Sequence, residues 1–244
     1  MTLPVFFVPD IAAAAGAQFD LDGPEGRHAA VVRRIGAGER VQVTDGRGRT
    51  ALCDVLSASK SGLRLSVSDV EESAEPAPAI TVVQAIPKGE RAELTVEVLT
   101  EIGADRIVPW AASRSVGQWR GERAAKALAK WRTTAREAAK QSRRSWFPEV
   151  TDQVDLAGVA ALVGDADVAL ILHEEASDPL DSIDFAGVGS IVFVVGPEGG
   201  LTEDEIDVLA AAGGRVTRLG TTVLRTSTAG VAAVAAVLAR TRWA

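Results

Sequence analysis

The sequence predicts an α/β protein in which a small β domain precedes a larger domain with a parallel sheet. Short alternating runs separated by turn signals fill residues 1–72, whereas apolar runs alternate with helical patterns over residues 80–244. Between them, residues 73–79 read Ser-Ala-Glu-Pro-Ala-Pro-Ala, and two prolines among small residues are typical of a linker. A length of 244 residues accommodates two such domains.

In the N-terminal region, residues 5–8, 40–44, 51–56 and 63–67 show the alternation of half-buried strands. The Asp45-Gly46 pair between two of these runs is typical of a hairpin turn. We therefore expect a small β-barrel over residues 1–72.

After the linker, apolar runs predict strands and periodic segments predict helices. Continuous apolar runs such as 168–172 and 191–195 are typical of parallel strands that are buried on both faces. The predicted strands are 80–86, 106–110, 168–172, 191–195 and 216–219. The predicted helices are 90–102, 121–144, 201–212 and 228–240. Thr202 as N-cap and Glu205 three residues later form a capping box for the third helix.

The composition indicates a soluble globular protein, with 47% hydrophobic and 24% charged residues. No apolar run approaches a membrane span, and residues 1–20 do not resemble a signal peptide, so we expect a cytoplasmic protein without a membrane partner. Cys53 is the single cysteine, which excludes an intrachain disulfide. One cysteine and two histidines do not form a Cys/His zinc site, so no metal is expected.

The charge is strongly polarised along the chain. The net charge is −7, but residues 113–146 hold ten Lys/Arg and two acidic residues, a surplus of +8. Residues 27–49 hold six arginines and two acidic residues, a surplus of +4, so the remainder is at −19. Local positive fields of this kind attract polyanions and favour a nucleic-acid partner.

Three loops follow predicted strands: residues 172–175, 196–200 and 219–226. Ligands of open parallel sheets bind beyond the carboxyl ends of the strands. The chain contains neither of the common glycine-rich phosphate motifs, and Glu198 would repel a phosphate. A cationic or neutral ligand therefore suits these loops better, the alternative being that Gly196–Gly200 is only a tight turn between a strand and a helix.

These motifs resemble those of the RsmE family of SPOUT methyltransferases. The similar segments are Gly-Pro-Glu-Gly-Gly at 196–200 and Leu-Gly-x-x-Val-Leu-Arg-Thr at 219–226. Upstream, the family pattern is matched by His28-x-x-Val31-Val32-Arg33 and by three further segments, at 88–91, 100–104 and 137–144. The resemblance extends in order over nearly the whole chain.

The resemblance implies a PUA-like N-terminal β-barrel, a C-terminal SPOUT domain with a trefoil knot, and a homodimer. It implies methylation of N3 of a single uridine of 16S rRNA, uridine 1498, within the small ribosomal subunit, with S-adenosylmethionine as methyl donor. The sulfonium of this cofactor is cationic, which agrees with an acidic loop. The alternatives are another SPOUT RNA methyltransferase and a non-catalytic RNA-binding or ribosome-assembly protein.

The resemblance also implies the residues of the site. Arg225 is expected either to stabilise the imide anion that develops when uridine N3 loses its proton, or to be a buried structural residue that pairs with a carboxylate or caps loop carbonyl oxygens. Glu198 is expected either to orient Arg225 or assist proton removal, or to bind loop N–H groups. The expected cofactor contacts are Leu172, Val195, Gly196, Glu198, Gly199, Gly200, Leu219, Gly220, Val223, Leu224 and Arg225.

The basic residues predict an RNA-binding surface. Four basic residues recur at helical spacing in the segment 121–144 and form one stripe: Arg132, Arg136, Lys140 and Arg143. Trp119, Trp131 and Trp146 lie among these charges, and their rings are suited to stack on bases. The alternative is a solvated helix face with Trp131 in the core. The expected RNA-binding residues are His28, Arg33, Arg34, Lys88, Arg132, Arg136, Lys140, Arg143 and Arg144.

Two positions depart from the family pattern. Ser227 stands where the family usually has a glutamate, so a carboxylate is missing from the Arg225 loop. Val5 stands where the family often has an arginine. We therefore expect the proton acceptor and one RNA or cofactor contact to differ from the family pattern.

Overall fold

The chain folds into two units, and the first unit includes a short segment from later in the sequence. The computed structural model describes residues 3–11, 14–89, 91–117, 119 and 121–244. The first unit comprises the residues up to Glu75 together with Ala139–Phe147, and the second comprises Pro76–Ala138 and Pro148–Ala244. The predicted first residue of the 90–102 helix, Glu90, and one basic residue of the 113–146 segment, Arg120, lie outside the described residues.

A five-stranded mixed sheet forms the first unit. Its strands are β1 (Val5–Phe7), β2 (Gln18–Leu21), β3 (Arg40–Thr44), β4 (Arg49–Ser59) and β5 (Gly62–Glu72), in the order β1-β3-β4-β5-β2. The strands β1 and β3 are parallel, and the other neighbours are antiparallel. The predicted hairpin is confirmed as the β3–β4 connection, in which the Asp45 carboxylate accepts the N–H groups of Arg47 and Arg49.

Two short helical segments that the sequence analysis does not predict lie between β2 and β3. The helix α1 (Gly23–Arg27) is followed by a π-helical turn, His28–Val32. Gly26 is required here, because a Cβ would lie 2.1 Å from the Leu21 carbonyl oxygen. The chain leaves the turn through Arg34, whose φ of 56° lies in the left-handed region.

Two side chains of the segment 139–147, Lys140 and Trp146, hold this segment in the first unit. Lys140 Nζ lies 2.7 Å from Glu25 Oε1. The indole Nε1 of Trp146 donates to the Ser73 carbonyl oxygen at 3.0 Å. These contacts explain why the segment groups with the N-terminal residues.

A seven-stranded sheet forms the second unit, and all its strand pairs are parallel. Its order is β10-β12-β9-β11-β6-β7-β8. The strands are β6 (Ala79–Ala85), β7 (Arg106–Trp110), β8 (Glu149–Val150), β9 (Val168–Leu172), β10 (Asp178–Pro179), β11 (Ser190–Val195) and β12 (Arg215–Arg218). This confirms the predicted parallel α/β sheet. The two-residue strands β8 and β10 are too short to be recognised from periodicity.

Helices cover both faces of this sheet. They are α2 (Arg91–Ile102), α3 (Glu122–Gln141), α4 (Leu156–Gly164), α5 (Glu203–Ala211) and α6 (Thr226–Leu238). Along β11, Ile191, Phe193 and Val195 join a core with α2, α3 and α6, whereas Val192 and Val194 join a core with α4 and α5. Side chains alternate along a strand, so one apolar run supplies both cores.

The helices differ from the predicted ones mainly at their ends. The basic helix α3 ends at Gln141 rather than at 144, and Arg143 has a φ of 57°. The last helix, α6, begins at Thr226, two residues before the predicted start. The helix α4 is not predicted, because its sequence includes two glycines, which weaken the helical signal.

Candidate functional site

Three loops meet at one edge of the parallel sheet. The strands β9, β11 and β12 are neighbours, with β9 in the middle, and all run in the same direction. Their carboxyl ends therefore lie at the same edge, where the loops that follow them begin. This confirms the predicted common edge, and it is the position at which parallel sheets bind ligands.

An open cleft of about 610 Å³ lies between these loops. Of the predicted cofactor contacts, eight line it: Leu172, Val195, Gly196, Gly200, Leu219, Gly220, Val223 and Leu224. Its walls are mainly apolar side chains and glycine-bearing backbone. A cleft with these walls suits a small organic ligand with a flat apolar part and a polar edge.

The cleft has further lining residues that the sequence analysis does not single out as contacts. These are His173, Glu174, Pro197, Leu201, Thr217, Arg218, Thr222, Thr226 and Ala229. Six of the nine are adjacent in sequence to a predicted contact, so proximity in sequence was an available signal. Ala229 lies in α6, and only the packing of that helix brings it to the cleft.

The Gly196–Gly200 loop is a tight turn with specific contacts. Gly200 has a φ of 71°, and its N–H donates to the Pro197 carbonyl oxygen at 2.9 Å. The Glu198 Oε1 atom accepts the N–H of Lys88 at 3.2 Å. This contact corresponds to the interpretation of Glu198 as a residue that binds loop N–H groups.

Gly199 and Glu198 do not line the cleft, whereas Gly196 and Gly200, the other predicted contacts in this loop, do. A Cβ on Gly199 would lie 3.1 Å from the Cβ of Arg114. The Arg114 guanidinium donates to the carbonyl oxygens of Gly199 and Leu201, at 3.2 Å each. Gly199 therefore permits Arg114 to pack against the loop and to hold its backbone.

Glu205 stabilises the chain directly after the Gly196–Gly200 loop through hydrogen bonds. The predicted capping box is confirmed, since Thr202 Oγ1 accepts the N–H of Glu205 and Glu205 Oε2 accepts the N–H of Thr202. Its second oxygen accepts the N–H of Ser113 at 2.7 Å. Burial favours the neutral carboxyl, but hydrogen bonds from Ser113 and Thr202 outweigh it, so the pKa of Glu205 lies below its ordinary value.

A second pocket of about 660 Å³ adjoins the cleft and shares several of its residues. It brings together both predicted catalytic residues, Arg225 and Glu198. Arg225 is the N-cap of α6, and its side chain is exposed. Arg91, at the start of α2, and Ser227 also line this pocket, and the sequence analysis predicts neither as a site residue.

The four residues of the predicted RNA-binding stripe differ in their exposure and contacts in the structure. Arg132 pairs with Asp152 at 3.0 Å, and Arg136 is exposed on α3. The Lys140 side chain is only 9% exposed and pairs with Glu25, which leaves little of its ammonium group for a polyanion. Arg143 follows the end of α3 rather than continuing the stripe.

The remaining predicted RNA-binding residues lie at loops and turns. His28 begins the π-helical turn and makes an edge contact with Phe6, at 6.3 Å between ring centres. Arg33 and Arg34 are exposed immediately after this turn. Lys88 is exposed beside Glu198, and Arg144 donates to the Trp146 carbonyl oxygen at 2.8 Å.

The tryptophans near the basic helix have structural contacts. Trp131 is 2% exposed and lies edge-on to Trp119, with ring centres 4.9 Å apart. Trp146 is held by its hydrogen bond to Ser73. Trp131 therefore belongs to the core, as the alternative interpretation of the helix expects, and does not offer its face to a base.

Two other kinds of site are absent from the part of the chain that the structure describes. No cluster of three or more His, Cys, Asp or Glu side chains suited to a metal ion occurs within the described residues. Over the same part of the chain, no helix is long and apolar enough to cross a membrane.

Comparison with known proteins agrees with the geometry of this edge. An RNA methyltransferase domain model matches residues 74–238, and an RNA methyltransferase PUA domain model matches residues 21–68. The chain is 44% identical to ribosomal RNA small subunit methyltransferase E of Mycobacterium bovis, over 100% of this chain and 94% of the relative. It is 31% identical to the Bacillus subtilis protein of the same name, over 90% and 89% of the two chains.

A solved structure is similar over the whole chain. It is ribosomal RNA small subunit methyltransferase E from Neisseria gonorrhoeae bound to S-adenosyl methionine, with a TM-score of 0.87 and 28% identity. The match covers 98% of each chain. The fold of both units therefore agrees with that of a solved methyltransferase.

Proposed function

Because the chain belongs to the ribosomal RNA small subunit methyltransferase E family, we propose that it methylates small-subunit ribosomal RNA with S-adenosylmethionine as methyl donor. The proposed target is N3 of a single uridine, uridine 1498 of 16S rRNA. The observation that supports this best is the cleft at the sheet edge, which adjoins a pocket containing Arg225 and Glu198.

The residues of the cleft fit the proposed cofactor. Leu172, Leu219 and Leu224 offer apolar side chains to an adenine ring, and the backbone at Gly196 and Gly220 offers hydrogen-bonding groups to its edge. Glu174 supplies a negative charge that suits a sulfonium. When bound, S-adenosylmethionine supplies an electrophilic methyl group.

The adjoining pocket fits a uracil whose N3 is to become a nucleophile. The neutral imide is a poor nucleophile, so the site must favour the loss of the N3 proton. The exposed guanidinium of Arg225 is suited to stabilise negative charge on the uracil carbonyl oxygens. Arg225 must also position the base so that N3 lies in line with the methyl group.

Further parts of the proposal come from the family. They are a homodimer, a cytoplasmic location and a trefoil knot in the second unit. The exposure of Val223, at 75%, and Leu224, at 39%, supports the presence of a macromolecular partner near the cleft.

Mass spectrometry of small-subunit ribosomal RNA from cells with and without this protein tests the proposed function. We expect one N3-methyluridine to disappear on deletion, to return with the wild-type chain and to remain absent with Arg225→Ala. Unchanged methylation after deletion would contradict the proposal, and the loss of another modification would indicate a different RNA target.

Calorimetry with S-adenosylmethionine separates the enzyme from a non-catalytic RNA-binding protein. We expect the wild-type chain and Arg225→Ala both to bind the cofactor, because Arg225 lines the second pocket rather than the cleft. A wild-type chain that does not bind it would support a non-catalytic role.

A further inference from the structure

The second pocket contains two arginines whose guanidinium groups have no partner among the residues that the structure describes. Arg91 and Arg225 both line it and are both exposed. Within the described part of the chain, no hydrogen bond or ion pair is formed by either guanidinium. Other arginines of this unit are engaged: Arg132 binds Asp152, and Arg240 donates to the carbonyl oxygens of Leu180 and Ile183.

The backbone around the two arginines also favours an anion. Arg91 is the first residue of the 12-residue helix α2, and Arg225 is the N-cap of the 13-residue helix α6. The first N–H groups of a helix lack intrahelical partners and represent a partial positive charge. Two helix starts and two guanidinium groups therefore meet at one pocket.

Ser227 adds a hydroxyl to the lining of this pocket. It is 8% exposed and lines the pocket, and its hydroxyl forms no hydrogen bond with the residues that the structure describes. The oxygen is not one of the fully enclosed, unpaired polar atoms of the described residues, so it is accessible to a group bound in the pocket.

The carboxylates of the pocket do not neutralise this arrangement. Glu198 Oε1 accepts the N–H of Lys88 at 3.2 Å, so this carboxylate already has a partner in the protein. Glu174 is shared with the cleft. Neither pairs with Arg91 or Arg225 in the described structure, so the guanidinium groups remain available to an external anion.

We propose that Arg91 is a positioning residue that binds a backbone phosphate of the RNA beside the target nucleotide. Arg225 is then left for the base itself. A guanidinium donates two parallel hydrogen bonds to a phosphate, and every RNA nucleotide brings one phosphate. This inference rests on the proposed function, because it takes the ligand of the second pocket to be RNA.

The test compares Arg91→Ala, Arg91→Lys and the wild-type chain in binding to a fluorescein-labelled transcript of small-subunit ribosomal RNA. Fluorescence anisotropy is measured over a series of KCl concentrations. We expect Arg91→Ala to bind roughly tenfold more weakly and the magnitude of its salt slope to fall by about 0.7, since one single-strand phosphate contact is lost. Arg91→Lys should keep the slope and recover only part of the affinity, because an ammonium cannot form the paired hydrogen bonds.

The matched control is Arg106→Ala. Arg106 is also exposed, although it pairs with Glu149 at 3.0 Å, and it begins β7 and so lies at the amino edge of the sheet, opposite the cleft. This variant should bind RNA as the wild-type chain does. Both alanine variants should bind S-adenosylmethionine normally in calorimetry.

An unchanged affinity and salt slope in Arg91→Ala would overturn the inference, and so would an equal loss in Arg106→Ala, which would indicate a general charge effect. Competition by millimolar inorganic phosphate that is equally strong for wild type and Arg91→Ala would also count against a phosphate at Arg91. Methylation by the wild-type chain is measured in parallel. If it fails, the proposed function is wrong, whereas methylation with normal RNA binding by Arg91→Ala refutes only the role of Arg91.

Discussion

Individual side chains at the sheet edge divide into those that hold loops and those that are left open to ligands. Glu205 and Arg114 bind loop backbone, and Glu198 binds the N–H of Lys88. Arg225 has no comparable contact among the described residues. Sequence reasoning left open whether Glu198 orients Arg225 or binds loop N–H groups, and its contact with Lys88 corresponds to the second interpretation.

Glu205→Ala should lower both stability and cofactor affinity. Glu205 is 2% exposed, and its removal leaves the N–H groups of Ser113 and Thr202 without their acceptor, at a cost of about 2 kcal/mol. The loop before α5 would then be held less firmly. Thermal unfolding and calorimetry with S-adenosylmethionine measure the two effects.

The control for Glu205 is Glu203→Ala, which removes an exposed carboxylate from the same first helical turn. Its stability should stay close to that of the wild type.

The lowered pKa of Glu205 implies a stabilisation that is present above the carboxyl's unfolded pKa and lost as the pH falls through the lower folded value. Thermal unfolding of Glu205→Gln should therefore depend less on acid pH, and equal acid sensitivity would contradict the assigned contacts.

Among the elements, the basic helix α3 contains ion pairs that its periodicity does not predict. Its periodicity indicated a stripe of four cations facing an RNA. The structure instead engages Arg132 with Asp152 and Lys140 with Glu25. Periodicity reports which residues share a helix face, but not whether another element covers that face.

Lys140→Ala should reduce stability rather than RNA affinity. The Lys140 side chain is 9% exposed and that of Glu25 is 21% exposed, so the substitution leaves a mostly buried carboxylate without its cation. We expect a loss of roughly 2 kcal/mol in the free energy of unfolding, between the values for exposed and fully buried pairs. Chemical denaturation measures it.

Arg143→Gln is the comparison for Lys140, because Arg143 is exposed and near the same helix end. It should leave stability nearly unchanged and reduce the salt slope of RNA binding. A Lys140→Ala variant with normal stability and weaker RNA binding would instead assign Lys140 to the RNA surface.

At the scale of the whole molecule, charge is separated along the chain despite a net value of −7. Residues 113–146 and 27–49 hold the positive surplus, and most of the rest is acidic. Such a molecule binds polyanions through local positive fields while it remains acidic overall.

We therefore expect the wild-type chain to lose RNA affinity steeply with salt. Each single-strand phosphate contact contributes about −0.7 to the slope of log K against log salt. Several contacts would weaken binding by more than about tenfold between roughly 50 and 200 mM KCl. Anisotropy titrations at several KCl concentrations measure this slope, and salt-insensitive binding would contradict an electrostatic RNA surface.

The sequence by itself determined the fold class, the order of the main strands and the glycine loops at their ends. These features are local, because apolar runs, turn residues and capping boxes act over a few neighbouring positions. The tertiary structure alone decided which basic side chains have partners among the described residues. Lys140 and Arg132 are paired by residues far away in sequence, whereas Arg91 and Arg225 meet because α2 and α6 begin at the same pocket. Pairing depends on distance in space, which the spacing of residues along a chain does not specify.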